Sequence, residues 1–105
     1  MIRGVFMVLL KVDFQDGFEG DLVTVRVNGA EVFRKEGVKT RLTLGLADSF
    51  EVDIPEGKVN IEVTLPMKNI SGTTSMEISG PVFLGISVQD LRISFRRSDT
   101  MFTYL

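Results

Sequence analysis

The chain has 105 residues, of which 44% are hydrophobic and 25% charged, enough for one domain with a genuine core and too apolar for disorder. Its net charge of −2 offers no overall field for nucleic acid or an anionic membrane, so neither is an expected partner. The absence of Cys and His excludes disulfides, thiolate nucleophiles, zinc ribbons and imidazole bases, leaving a catalyst only carboxylates, Lys or Tyr. The expectation is therefore a protein without catalysis, metal or cofactor.

From the N-terminus onward, apolar and polar residues alternate in short runs separated by turn residues. Successive strand side chains point to opposite faces, so this beat means half-buried strands. The first run, after Arg3, is about seven apolar residues long, too short for a membrane span and followed by no small-residue cleavage site. It reads as a strand, and with no export signal and no Cys a cytoplasmic location is expected. Turn signals at Asp16-Gly17 through Gly20-Asp21, Asn28-Gly29, Glu36-Gly37, Asp48-Ser49, Pro55-Glu56-Gly57, Ser71-Gly72 and Gly80-Pro81 divide the chain. Strands are predicted near 3–14, 22–28, 30–35, 38–46, 49–54, 58–65, 73–79, 82–88, 91–97 and 101–105. No window of eleven or more residues carries a helical period. The fold class is all-β: a two-sheet antiparallel β-sandwich of about 8–10 short strands filling residues 1–105, with no substantial helix.

Three registers follow from the pattern. Asn28-Gly29 is a strong two-residue hairpin signal, placing Val25 opposite Val32 and Arg26 opposite Glu31. Gln89-Asp90 closes a second hairpin, with Val88 facing Leu91, Ile86 facing Ile93 and Leu84 facing Phe95. Folding about Leu46 pairs Phe50 with Leu42, Val52 with Thr40 and Ile54 with Val38, and sets Arg41 against Glu51 and Lys39 against Asp53. Those opposite charges would contribute about 0.2–1 kcal/mol each. If the chain crosses between sheets there, the pairs vanish.

Several clusters could carry chemistry. The loop 13–21 holds Asp13, Asp16, Glu19 and Asp21 among glycines, hard oxygen donors of the kind calcium takes, though not at EF-hand spacing. Arg26, Arg34, Lys35, Lys39 and Arg41 could bind phosphate, but the acidic stretch 48–62 offers them partners on a sheet face. Arg92, Arg96 and Arg97 flank Phe95, which sits on the inward beat and is expected in the core rather than under a base. Glu51 and Asp53 lie two apart on one strand face, as exposed strand carboxylates commonly do.

The beat fails in one place. Val5, Phe6, Met7, Val8, Leu9 and Leu10 are all apolar, so both faces of that strand avoid water. Val5, Met7 and Leu9 form a second stripe, echoed by Met101, Phe102 and Tyr104 at the other end of the chain. Either another part of the chain covers this stripe, or it is an interface for a protein partner or a second copy.

The run Asp48 to Val63, with Pro55-Glu56-Gly57 between two strands, resembles the strand, Pro-x-Gly turn and strand of prealbumin-like and carboxypeptidase-regulatory-like sandwich modules. It departs from them in carrying Val59 where they usually have Tyr. The resemblance implies a two-sheet sandwich that binds or assembles. The expected function is a small binding or assembly protein that self-associates through Val5, Met7, Leu9, Met101, Phe102 and Tyr104. The alternative is a calcium- or carbohydrate-binding module using loop 13–21.

Overall fold

Alternation becomes pairing in the computed structural model, which describes residues 6–104. Its strands are β1 (Met7–Phe14), β2 (Glu19–Val27), β3 (Ala30–Lys39), β4 (Asp48–Pro55), β5 (Gly57–Leu65), β6 (Ile70–Ile78), β7 (Val82–Gln89) and β8 (Arg92–Ser98). The helical content among the described residues is a single 3-10 turn at Pro66–Lys68. The strands form two four-stranded sheets, β4-β1-β7-β8 and β3-β2-β5-β6. The all-β sandwich expected from the beat is the observed fold. Every pair is antiparallel except β1 and β7, which run parallel from Leu10↔Val82 to Phe14↔Ile86. No helix among the described residues is long and apolar enough to cross a membrane.

The inward beat fills the space between the sheets. Leu10, Val12 and Phe14 of β1 and Leu84 and Ile86 of β7 are fully buried against Val23, Val25, Ile61, Val63 and Leu65 of the second sheet. Each such side chain stabilises the fold by about 1.5–3 kcal/mol relative to exposure. At the β3/β4 edge the stacked rings of Phe33 and Phe50, 4.6 Å apart, join the two sheets and lean on Phe14. At the opposite edge β6 comes close to β8: a Cβ on Gly72 would lie 2.6 Å from Cβ of Ile93, so only glycine permits that approach.

Several expectations are corrected. Ser71-Gly72 is not a turn but lies within β6, paired with Thr64 and Val63. Residues 38–46 are not a strand: β3 ends at Lys39, and 41–46 form a small loop closed by an Arg41–Leu46 bridge. The chain there crosses from one sheet to the other, so β4 pairs with β1, and the proposed Phe50–Leu42 register and its charge pairs do not form. Residues 101–104 are irregular rather than a strand. Residues 3–5 and 105 lie outside the described residues. Glu36-Gly37 is not a turn but a bulge within β3, where Gly37 has φ of 70° and the register gains one residue between Asp21↔Val38 and Val23↔Lys35.

The hairpins need finer adjustment. Arg26 does face Glu31, but a second bulge shifts Val25 from Val32 to Phe33. The second hairpin turns at Asp90-Leu91, so Val88 faces Ile93 and Ile86 faces Phe95. That is a slip of two residues, which leaves each side chain on its expected face. The charges find other partners: Arg26 also faces Glu62, Lys58 faces Glu77, and Lys35 bonds to Asp48. Pro55-Glu56-Gly57 links β4 of one sheet to β5 of the other and is not a hairpin within a sheet.

Candidate functional site

The strand directions gather the loops 15–18, 40–47, 66–69 and 90–91 at one pole of the sandwich. Thr40 ties two of them together. Its hydroxyl accepts the Phe18 N–H at 3.0 Å and donates to the Gln15 carbonyl at 2.6 Å, while its own N–H donates to the Phe18 carbonyl. Beyond it the loop closes on itself: Leu44 N–H and Gly45 N–H both donate to the Arg41 carbonyl. That closure throws Leu42 outward to 94% exposure. In the next loop the 3-10 turn after Leu65 ends on Asn69, whose φ is 55°, and leaves Met67 84% exposed.

The 90–91 turn is the most unusual of the four. Asp90 and Leu91 have φ of 51° and 62°, the left-handed pair that a tight hairpin needs. Asn and Gly fill such positions readily, whereas a bulky side chain costs roughly 1–2 kcal/mol. Leu91 bears that cost while 76% exposed.

Leu42 and Leu91 stand over an open cleft of about 640 Å³ that also touches Phe18, Ile70 and Val88. Phe18 and Ile70 are buried and form its floor. Its rim carries both signs: Lys39 and Lys68 with Glu19 and Asp90. Lys68 is held by Asp21 at 2.9 Å and Glu19 at 3.1 Å, and those hydrogen bonds, Asp21's first, raise its pKa above the ordinary lysine value. The carboxylates of loop 13–21 therefore face different ways. Glu19 and Asp21 converge on Lys68, Asp13 is on β1, and Asp16 sits beside Gly45. Among the described residues no group of three or more His, Cys, Asp or Glu side chains is placed to hold a metal ion.

Of the residues singled out from the broken beat, Met7, Leu9, Phe102 and Tyr104 lie on the outer face of the β4-β1-β7-β8 sheet, and Met101 to Tyr104 border a recess shared with Asp16, Leu44 and Gly45. Met7 is exposed and Leu9 half-buried on that face of β1; Val5 lies outside the described residues. Met101 is exposed, Phe102 lies 5.2 Å from the Arg96 guanidinium, and the Tyr104 hydroxyl bonds to Asp13. The C-terminal segment thus closes on the chain itself at the Asp13 end of β1. Glu51 and Asp53 are exposed on β4, opposite Lys11 and Leu9. Phe95 is half-buried against the core, opposite Ile86.

Leu42 and Leu91 are not distinctive in the sequence, because each continues a two-residue beat and so reads as an inward strand residue. Gly45, with φ of 67°, was the available sign that the run Leu42–Leu46 turns rather than extends. Comparison of the chain with family models, curated proteins and solved structures finds no match to any of them.

Proposed function

We propose that this chain is a non-catalytic β-sandwich that works by binding, and that it self-associates through its loop-bearing pole. The observation that carries this reading is Leu91. A leucine that is both left-handed and exposed lowers the stability of the isolated chain, and such outliers cluster at binding surfaces. A second copy suits the pole because one patch carries both knobs and a recess. The patch bears protruding aliphatic tips, an apolar recess and charges of both signs, the requirement for a two-fold interface in which one patch meets itself. The lack of His and Cys, which leaves only carboxylates, Lys or Tyr as acid–base groups, supports binding over catalysis. A cytoplasmic setting belongs to the same reading.

Sedimentation velocity across the micromolar range tests it, on the wild type and on Leu91→Asn. In a two-fold interface Leu91 counts twice, so its loss should weaken the dimer by at least about tenfold. Asparagine tolerates the left-handed turn, so the melting temperature of the variant should hold or rise. A wild type that stays monomeric at high micromolar concentration overturns the proposal. So does a Leu91→Asn dimer of unchanged affinity.

A further inference from the structure

Residues 99–104 leave β8 and come back across the outer face of their own sheet. Among the described residues no backbone hydrogen bond to the sheet holds them. Side chains do. The Tyr104 hydroxyl donates to Asp13 Oδ2 at 2.7 Å and accepts from Gln15 Nε2 at 2.9 Å. Phe102 takes the Arg96 guanidinium over its ring, a cation–π contact.

The bed beneath is one row of the sheet. Asp13 pairs with Gly85, and Gly85 with Arg96, so acid, gap and base lie in line across β1, β7 and β8. Gly85 makes the gap: a Cβ there would fall 2.5 Å from the Gln15 side chain, which occupies the space. In an extended segment the side chains of residues i and i+2 point the same way. Phe102 and Tyr104 can therefore both point down onto the row while Thr103 points away. Asp13 is only 4% exposed, and its Oδ1 has no hydrogen-bond partner among the described residues. A buried carboxylate with one oxygen occluded and unpaired relies on the donors brought to the other, and Tyr104 is the donor on Oδ2.

We infer that the Asp13–Gly85–Arg96 row is a binding site for an extended Phe-x-Tyr segment. Its own C-terminal segment fills the site, and residues 102–104 of a second copy are its occupant in trans. This goes beyond self-association at the pole, because the surface, the residues and the ligand chemistry differ. Tethering gives the chain's own segment an effective concentration of roughly millimolar, which masks the site. Replacing Tyr104 unmasks it.

The test uses the full chain and a fluorescent hexapeptide with the sequence of residues 100–105. Fluorescence anisotropy should show the Tyr104→Ala chain binding the peptide at least about tenfold more tightly than the wild type does. Adding Asp13→Asn should abolish the gain, as should a peptide with Phe in place of Tyr. If either variant is unfolded by circular dichroism, a 3-fluorotyrosine peptide is titrated at millimolar concentration into the wild type. A saturable fluorine shift that unlabelled peptide reverses supports the site, and its absence overturns the proposal. Equal affinity for wild type and Tyr104→Ala, or binding indifferent to Asp13, also overturns it. The same titration on the Leu91→Asn chain should be unchanged, which separates this site from the pole.

Discussion

The Tyr104 hydroxyl and the Asp13 carboxylate, 91 residues apart in sequence, are joined by a 2.7 Å hydrogen bond on the outer face of a sheet. Asp13 is buried there beside the core residues Val12 and Phe14, although its side chain points away from the core. A buried carboxylate needs a donor, and Tyr104 supplies it. Replacing Tyr104 by Phe removes the donor while keeping the ring, and should lower stability by about 1–2 kcal/mol in urea unfolding, since water reaches Asp13 once the segment lifts. An unchanged midpoint would mean that the segment does not rest on Asp13.

Burial, reinforced by the bond to Asp13 and opposed by the one from Gln15, pushes the Tyr104 phenol from 10.0 up to about 12. A raised folded-state value sets the sign: the contribution is fully present below pH of about 10 and is lost as pH rises toward about 12. Tyr104 is the only Tyr and the chain has no Trp, so phenolate absorbance reports this group alone. Its midpoint should lie near 12 in the native protein and near 10 in denaturant. Coincident midpoints would show the phenol free in solution.

Two glycines make a matched pair of opposite cost. A Cβ on Gly17, whose φ is 87°, would fall 1.8 Å from the Val88 carbonyl oxygen, a backbone atom that cannot swing aside. Gly17→Ala should therefore detach loop 15–18 from β7 and lower stability by about 2–3 kcal/mol or more. A Cβ on Gly85 meets only the end of the flexible Gln15 side chain. Gly85→Ala should cost less than about 1 kcal/mol. By pushing Gln15 aside it removes a bond that lowers the Tyr104 pKa, so the phenol should titrate higher still. Equal losses of stability from the two variants would refute this difference between backbone and side-chain neighbours.

The architecture was legible where burial acts on one face at a time. Runs such as Val59, Ile61, Val63 and Leu65 keep their alternation because one sheet face meets the core and the other meets water. The same signal misled at Leu42, Leu44 and Leu46, since alternation in a loop looks identical when the residues that end the strand are not turn formers. Register was less legible than face: bulges at Gly37 and beside Val25 insert residues without changing the hydrophobic pattern. The pole was legible only in part: loop 13–21 stood out by its carboxylates and Gly45 marked a turn, while the exposed leucines did not stand out. Its defining property is exposure, and nothing local distinguishes an exposed leucine from a buried one. The meeting of Tyr104 with Asp13 joins the two ends of the chain, a distance that no pattern of neighbours encodes.

Thr40 offers the most direct handle on the pole. Its hydroxyl both receives the Phe18 N–H and donates to the Gln15 carbonyl, and the Phe18 amide bond is buried. Valine keeps the shape but offers neither function, so Thr40→Val leaves a buried N–H and a carbonyl without partners. The expected loss is about 1–3 kcal/mol, more than the loss of one ordinary hydrogen bond, because the partners stay desolvated. Thr40→Ser keeps the hydroxyl and should recover most of it. Amide hydrogen exchange locates the damage: in Thr40→Val the Phe18 amide should lose protection while the Ile61 and Val63 amides of β5 keep theirs. Uniform loss across both sheets would mean that Thr40 supports the whole sandwich rather than the junction of loops 15–18 and 40–47.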